Sequence, residues 1–261
     1  MRIADYLDHH TAAIDRKVSL LEQKIKLYQT LRKTLINETV CRGLHPNAPR
    51  RDSGIEWIGE IPAHWEVKRL KDVAAINKRN LPENTPADYT FRYIDISSVG
   101  RNGLEAEAEL VEFRAAPSRA RRIVRKYDVI ISTVRTYLKA VAYFNYEPIN
   151  TIVSTGFAVF TPGNVIPGYL AYQIQSDHFV DDVVRFSAGV SYPAINASAI
   201  AAMHFVCPPL EEQLEITSHL DAKTNQINQV TTNLTTQITT LKELRKTLIN
   251  DVVTGKLNVT E

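Results

Sequence analysis

The sequence has little of several features that mark specialised protein classes. Only two cysteines, Cys41 and Cys207, occur in 261 residues. They are too few for a disulfide framework or a zinc site, and they suit a reducing cytoplasm. No apolar run approaches the roughly 18 residues of a membrane span, and the polar N-terminus lacks the apolar core of a secretory signal peptide. We therefore expect a cytoplasmic protein without a membrane segment.

Signatures of catalysis are also missing. The chain has no G-x-G-x-x-G or G-x-x-x-x-G-K-[ST] string to cradle a nucleotide, and no H-E-x-x-H or Cys/His cluster to bind a metal. The [DNS]-P-P-[YFW] tetrapeptide of amino-methyltransferases is absent, since the nearest string is Cys-Pro-Pro-Leu at 207–210. We expect no catalytic residue, metal or cofactor in this chain.

The charge is nearly balanced but unevenly distributed. A formal net charge of +2 does not indicate a globally basic nucleic-acid binder, and 44% hydrophobic with 23% charged residues is an ordinary globular composition. Residues 64–146 carry 15 Lys/Arg against 10 Asp/Glu, whereas residues 147–212 carry one basic residue against six acidic ones. The stretch 114–126 holds six Lys/Arg and no acid. Such a face attracts phosphate, and a solvated helix or loop surface is the alternative.

An internal repeat organises the chain. Residues 3–44 match residues 216–257 at 16 of 42 ungapped positions, and the string LRKTLIN occurs in both copies. In each copy apolar residues recur every seven positions, as expected for a coiled coil about 60 Å long at about 1.5 Å per residue. These residues, predicted to pair the helices, are Leu7, Ile14, Leu21, Tyr28, Leu35, Leu220, Ile227, Leu234, Leu241 and Leu248. Ile3, Val18, Ile25 and Leu31, with Ile216, Ile238, Leu244 and Val252, are expected to fill the alternate positions.

The central block between the copies combines strand and helix patterns. Residues 91–99, 128–134, 139–144 and 157–162 are β-branched and aromatic runs that predict strands. Residues 167–184 and 197–203 predict helices, 204–208 a last strand, and 66–76 begins with a helix-like pattern. We predict an α+β chain in which one mixed α/β domain is inserted between two long antiparallel coiled-coil helices. The alternative is that the helices pair two copies of the chain.

Several strings resemble the specificity (S) subunit of type I restriction-modification systems. They are DSGIEWIGEIPAHWEVKRLKDVA (52–74), CPPLEEQLEI (207–216) and the repeated LRKTLIN, with DVIISTVRTYLKAVAYF (128–144) and STGFAVFTPG (154–163) similar to that family's target-recognition domain. The resemblance covers essentially the whole chain. It divides the chain into a conserved helix (1–44), a linker (45–64), a target-recognition domain (65–207) and a second conserved helix (208–261).

The resemblance implies a function without catalysis in this chain. Full-length S subunits carry two recognition domains, each of which reads one half of a bipartite double-stranded DNA site, and helices that set the gap between the halves. Two methyltransferase (M) subunits, which use S-adenosylmethionine to methylate adenine, would dock on the helices. Two restriction (R) subunits, which use ATP and Mg, complete the nuclease. Self-association through the helices is a further expectation.

This sequence departs from the full-length pattern because it holds one recognition domain. It resembles the C-terminal half of a longer S subunit cut inside its central helix, which leaves open a truncated gene, an alternative start and an expression fragment. The base sequence that it reads and its oligomeric state are not predictable from these residues.

Base-reading candidates are polar side chains in predicted turns. The set comprises Ser132, Thr133, Arg135, Thr136, Tyr137, Lys139, Asn77, Asn80, Ser191 and Tyr192. Arginine binds guanine through two hydrogen bonds, which is the commonest specific contact. The alternatives are that Arg135 pairs with an acid such as Asp128 and that Tyr192 is a packing residue.

Phosphate-binding candidates are basic residues of two segments, the cluster 77–80 and the stretch 119–125, whose four closely spaced arginines cannot all face one groove edge. They are Lys78, Arg79, Arg119, Arg121, Arg122 and Arg125. Two rival functions remain open, a non-catalytic coiled-coil adaptor that binds protein and a standalone nuclease or methyltransferase fused to helices. Sequence-dependent DNA binding and methyl transfer by the chain alone discriminate among the three.

Overall fold

The computed structural model describes residues 3–55 and 58–259. Glu56 and Trp57, which belong to the 52–74 string that carries the family resemblance, lie outside the described residues, as do the first two and last two residues. The chain forms two compact units. One comprises the described parts of Met1–Leu35 and Leu220–Glu261, and the other, the central unit, comprises Ile36–His219.

The helices and strands of the described chain alternate irregularly. The helices are α1 (Ile3–Arg42), α2 (Leu70–Val73), α3 (Pro167–Gln175), α4 (Asp177–Arg185), α5 (Ala197–Ala202) and α6 (Leu210–Val253). The first strands are β1 (Arg50–Asp52), β2 (Glu60–Pro62), β3 (Glu66–Arg69), β4 (Ala74–Ile76), β5 (Thr90–Ile94), β6 (Val99–Gly100) and β7 (Gly103–Leu104). They are followed by β8 (Glu109–Glu112), β9 (Ala120–Ile123), β10 (Val129–Ser132), β11 (Val141–Tyr143), β12 (Thr151–Ser154), β13 (Phe157–Pro162) and β14 (His204–Cys207). The predicted α+β class is confirmed.

Two four-stranded sheets build the central unit. One has the order β11-β10-β13-β4 and is antiparallel, and the other has the order β8-β5-β12-β9, with β12 and β5 parallel. A buried apolar cluster contains residues of both sheets, including Ile94 and Val153 of the second sheet and Ile130 and Val159 of the first. Removing this apolar surface from water is the main stabilising term for the unit.

The sequence patterns of the central block locate some strands and miss others. The predicted runs 139–144 and 204–208 contain β11 and β14, whereas β8, β9 and β12 fall in no predicted run. The run 157–162 coincides with β13, and the run 128–134 contains β10. The predicted helix 167–184 is interrupted at Ser176, whose hydroxyl donates to Gln173 O (2.7 Å) and accepts from Phe179 N (3.3 Å) to cap α4. The helix-like pattern at 66–76 proves to be strand, one helical turn and strand, because residues 66–69 pair with β14.

The ends of the long helices that belong to the central unit are held by buried hydrogen bonds. Tyr169, which is fully buried on α3, donates to Val206 O (3.0 Å) and Val40 O (3.2 Å), and Gln173 donates to Val40 O (2.9 Å). Burial raises the pKa of Tyr169 well above its ordinary value, so that hydroxyl stays a donor. A side chain at Gly168 would meet Thr217 Cγ2 at 2.4 Å, so glycine permits this close approach.

The helical unit follows a seven-residue burial pattern. Leu220, Ile227 and Leu234 are buried, and Leu241 and Leu248 are half-buried on α6. Their predicted counterparts on α1, which are Leu7, Ile14, Leu21, Tyr28 and Leu35, are all half-buried. Two ion pairs, Lys242–Glu22 (3.4 Å) and Arg245–Asp15 (2.9 Å), join the helices in antiparallel order.

Two leucines expected on this seam lie outside it. Leu31 and Leu244 are 52% and 53% exposed, and Arg32 and Arg245 beside them are half-buried instead. The seven-residue spacing explains this difference. Val18, Ile25 and Arg32 follow one another at intervals of seven on α1, whereas Leu31 lies one position before that series. The aliphatic stem of an arginine can cover apolar surface while its charged end reaches water. None of the helices that the structure describes is both long and apolar enough to cross a membrane.

Candidate nucleic-acid interface

A groove of about 840 Å³ combines basic, hydroxyl and aromatic groups on one face of the sheet β8-β5-β12-β9. Arg119 and Arg135 line it together with Tyr192. Neither arginine has a carboxylate within ion-pair distance among the described residues. A guanidinium that no protein carboxylate neutralises is available to an external anion or to hydrogen-bond acceptors on a base edge.

The two faces of this sheet differ in charge. Because side chains alternate along a strand, Tyr93 of β5 faces the groove, whereas Arg92 and Ile94 line a cavity of about 790 Å³ on the other face. That second cavity holds three carboxylates, Glu105, Glu107 and Glu147, against one arginine, whereas the groove holds two carboxylates, Asp95 and Glu109, against two arginines. An acidic surface repels DNA, so the groove side is the face that suits a nucleic acid.

The end of β10 and the turn after it hold six of the predicted base-reading residues, and three of them are buried. Ser132, Thr133 and Thr136 are at most 9% exposed. Thr133 Oγ1 donates to Gly156 O (2.9 Å), Thr136 Oγ1 donates to Ser187 Oγ (2.8 Å), and Ser132 Oγ donates to Val134 O. These hydroxyls therefore hold the turn in shape within this structure.

The other three side chains of the turn reach the surface to different degrees. Arg135 is exposed and Tyr137 is 52% exposed, whereas the Lys139 ammonium donates to Asp181. Asp128 is not the partner of Arg135, since it is bound by Arg79 instead. Arg135 lies over the ring of Tyr192, with 5.2 Å from the guanidinium carbon to the ring centroid.

The predicted Ser191–Tyr192 loop is joined to this turn. Ala188 and Ala194 exchange two backbone hydrogen bonds of 2.9 Å, and Ile195 N donates to Thr133 O at 2.9 Å. Both loop residues are exposed, and Tyr192 is 68% exposed. The structure thus brings together two segments that lie more than fifty residues apart in the sequence.

The residues 77–80 lie against β9 rather than beside the groove. Asn77 has a left-handed backbone (φ 51°), and its side-chain oxygen accepts from Val159 N at 3.0 Å. Asn80 Oδ1 accepts from Arg122 Nη1 at 3.0 Å, and Arg79 is ion-paired with the buried Asp128 at 2.6 Å. Lys78 is exposed. Lys78 is therefore the member of this cluster with the most accessible charge.

The remaining predicted phosphate contacts differ from one another. Arg119 is exposed in a turn that precedes β9, and Arg125 is exposed and lies 3.7 Å from Glu147. Arg121 lies over the Phe113 ring at 4.7 Å and is half-buried. Partial burial lowers the pKa of Arg122 from its ordinary value. The basic stretch does not form one continuous phosphate-binding face.

The segment directly after β5 also lines the groove, although none of its residues was among the predicted DNA-binding candidates. Asp95 accepts from Tyr93 Oη at 3.1 Å, and Ser97 and Ser98 lie on the same groove wall. Burial raises the pKa of Tyr93, which keeps its hydroxyl protonated as the donor. The available signal was the polar run that follows an apolar strand, which is the same pattern that identified 132–139.

Across residues 3–55 and 58–259, no group of three or more His, Cys, Asp or Glu side chains is arranged to hold a metal ion. His64 Nε2 lies 2.8 Å from Glu212, which also accepts from Trp65 Nε1 at 3.0 Å. Both contacts join segments of the central unit.

Comparisons with known proteins converge on one family. The family model described as "Type I restriction modification DNA specificity domain" matches residues 62–240. The type I restriction enzyme MjaVIII specificity subunit of Methanocaldococcus jannaschii is 20% identical over 254 residues, which are 94% of this chain and 58% of that protein. The chain spans about half the length of the curated relatives that it matches.

Solved structures show the same fold. A chain from a structure on complex assembly and conformational transition of the type I R-M system gives a TM-score of 0.70 at 19% identity, over 96% of this chain and 58% of that one. The crystal structure of the HsdS subunit from Thermoanaerobacter tengcongensis gives a TM-score of 0.56 at 18% identity, over 98% and 58%. With the family model matching more than half of its residues, the chain belongs to the type I restriction-modification DNA specificity family.

Proposed function

We propose that this chain reads one half of a bipartite double-stranded DNA site for a type I restriction-modification complex. The observation that carries the proposal is the groove in which Arg119 and Arg135 lie beside exposed Tyr192, with no ion pair to either arginine among residues 3–55 and 58–259. We assign DNA reading to residues 65–207. Family membership supports this assignment over a coiled-coil adaptor that binds only protein.

Within that domain we assign two roles by accessibility. We assign contacts with bases to exposed residues in or beside the groove. The exposed members of the predicted base-reading set there are Arg135, Tyr137, Ser191 and Tyr192. Arg119 is close enough to the groove to contact either a base or the backbone, and exposed Lys78 suits a phosphate. Buried or ion-paired groups such as Thr136 and Arg79 would support the surface rather than touch DNA.

The proposal gives the chain no catalytic step of its own. Methyl transfer from S-adenosylmethionine to adenine would be the work of methyltransferase subunits docked on the long helices, and ATP- and Mg-dependent cleavage that of restriction subunits. Where two copies of the chain occupy one complex, two-fold symmetry of the protein would impose an inverted repeat on the DNA site. Reading by a single copy would be weak and strongly salt-dependent.

Binding selection with a random 30-bp duplex library tests the proposal. The full chain should enrich a short motif at low salt. Arg119→Ala should weaken binding to that motif, whereas Arg92→Ala, which removes an arginine from the acidic face, should not. No enriched motif, or equal losses for the two variants, would contradict the assignment of the groove.

A further inference from the structure

Two arginines of the central unit lie over an aromatic ring with no carboxylate within ion-pair distance among the described residues, Arg135 over Tyr192 and Arg121 over Phe113. Arg121 is half-buried, whereas Arg135 is exposed. Arg79, Arg101, Arg114 and Arg125 each pair with a carboxylate. Arg135 instead lies 5.2 Å from the centroid of the Tyr192 ring and has no carboxylate within ion-pair distance among the described residues. Its donors are therefore directed by a ring and not neutralised by an acid.

The backbone at Arg135 is in an unfavourable conformation. Its φ of 49° lies in the left-handed region, where the Cβ of a non-glycine residue crowds the following carbonyl. Hydrogen bonds from Thr133 to Gly156 and from Thr136 to Ser187 brace the residues on either side. Strain of this kind persists where surrounding contacts over-determine it, and it clusters at functional sites.

The backbone that carries the partner ring is also braced. Tyr192 lies near the tip of the hairpin closed by Ala188 and Ala194. Gly189 has a φ of 110°, and a side chain there would meet Tyr192 O at 3.2 Å, so this tight hairpin requires glycine. The hairpin is bound to the turn through Ile195 N and Thr133 O. Two braced segments therefore hold a guanidinium and a ring against each other before any DNA binds.

This arrangement fits recognition of one base more closely than attraction to phosphate. A phosphate contact needs only a nearby positive charge, which a flexible lysine supplies. Guanine presents two acceptors, N7 and O6, on its major-groove edge, and the planar guanidinium matches them with two parallel donors. A ring over one face of the guanidinium restricts its plane and leaves its edge free to donate.

We propose that Arg135 and Tyr192 form one base-reading unit, in which Arg135 binds the major-groove edge of a guanine and Tyr192 is the residue that positions its guanidinium. The inference rests on the proposed function, since it names the base chemistry read at that same groove.

The chain contains a matched control. Arg185 lies over the exposed Phe186 ring at 4.9 Å, close to the geometry of the proposed unit. Its guanidinium also lies 3.8 Å from Asp182, so an acid competes for its donors. Phe186→Ala removes another arginine–ring contact of the central unit and leaves Arg135 and Tyr192 unchanged.

The experiment uses duplexes that carry the motif selected by the full chain, with each guanine replaced in turn by 7-deazaguanine, which lacks the N7 acceptor. The wild-type chain should lose affinity at one guanine, by less than the roughly 5- to 150-fold expected for a whole bidentate contact, because O6 can still accept one of the two hydrogen bonds. Inosine at that position keeps N7 and O6 and should bind normally. Arg135→Ala should bind the guanine and 7-deazaguanine duplexes equally, and Arg135→Lys should keep the salt dependence but lose most of the discrimination.

Tyr192 is tested by the same readout. Tyr192→Ala should reduce discrimination at that guanine by about 2- to 5-fold, the size expected for an exposed arginine–ring contact. Tyr192→Phe should preserve discrimination, and so should Phe186→Ala. A Tyr192→Ala chain with full discrimination would overturn the positioning role.

The outcomes separate this inference from the proposed function. A wild-type chain that selects no motif overturns both. If the wild-type chain selects a motif but loses no affinity when any guanine of that motif is replaced by 7-deazaguanine, the inference alone is overturned. The same holds if Arg135→Ala weakens every duplex equally and leaves discrimination intact.

Discussion

The buried Asp128 provides a quantitative test of which arginines hold the domain together. Its carboxylate is fully buried and accepts from Arg79 Nη2 at 2.6 and 2.9 Å, from Thr161 Oγ1 at 2.6 Å and from Arg125 N at 2.8 Å. Removing one partner of a buried ion pair costs about 3–5 kcal/mol. Because 27% of the Arg79 side chain stays exposed, water can partly replace a lost partner. We expect the lower end, about 3 kcal/mol, for Asp128→Ala. Arg79→Ala should cost more within that range, because it leaves the fully buried carboxylate without its guanidinium.

Urea unfolding followed by fluorescence of the buried Trp65 measures this free energy. The double variant Arg79→Ala, Asp128→Ala should cost less than the sum of the single variants, with a coupling of about 2 kcal/mol. Arg125→Ala is the control, because its pair with Glu147 is exposed (62% and 54%) and should contribute less than about 1 kcal/mol.

The reasoning is refuted by a particular combination of results. If Arg79→Ala leaves the unfolding free energy within about 0.5 kcal/mol of wild type and lowers the slope of log affinity against log salt by about one, Arg79 is a phosphate contact. That outcome would restore the role that its position in the basic sequence suggests.

Three further predictions concern the helices, the surface charge and the buried thiol. Leu234→Asp should lower the free energy of unfolding by about 3 kcal/mol or more, because Leu234 is 6% exposed. Leu21→Asp should cost less because Leu21 is half-buried, and Leu20→Asp, at a 64% exposed position, should leave the thermal unfolding temperature unchanged. Equal shifts for the three variants would contradict the predicted helix contact. Lys78→Ala should weaken binding to all DNA sequences equally and lower the salt slope by about one, and a change in base preference would contradict this. Burial raises the pKa of the Cys41 thiol from 9.0 to about 12, so the unfolded chain loses this proton first and stability falls as pH rises from 9 toward 12. When the pH is raised from 8 to 10, the free energy of unfolding in urea under reducing conditions should fall by about 1 kcal/mol more for the wild type than for Cys41→Ala. Equal losses for the two chains would contradict the burial of the Cys41 thiol as the cause.

Local and repeated patterns made much of the fold predictable. The long helices follow from apolar residues at seven-residue spacing, and β13 follows from a single β-branched and aromatic run. Gly43 and Gly255 adopt the left-handed conformation (φ 71° and 72°) expected at helix ends. These signals lie in short stretches of sequence, which is why they can be read without the tertiary structure.

Features that depend on long-range pairing were not predictable. The strand β9 occurs in the arginine-rich stretch because its partner β12 supplies the apolar face of the pair. The split at Ser176 depends on one hydroxyl that bonds on both sides. In both cases the deciding contact involves a group that a periodicity argument does not weigh.

In the candidate site, too, the residue types could be predicted from the sequence, but the contacts between distant segments could not. Arg135 and Tyr192 stand out in the sequence as polar or aromatic residues in turns, but their contact depends on the hydrogen bond between Ile195 and Thr133. Thr133 and Thr136 are equally polar in sequence, yet burial directs their hydroxyls inward. Residue type therefore identified the turn, and packing decided which of its side chains face outward.

Mapping methylated adenines tests the central claim most directly. DNA would be treated with this chain and a methyltransferase subunit of its own system, with the chain as the only specificity component, and then sequenced for N6-methyladenine. The account predicts that methylation falls within one short motif, arranged as an inverted repeat where two copies assemble, and that Arg135→Ala relaxes one position in each half. Methylation that follows no motif, or an asymmetric bipartite site with this chain alone, would contradict it.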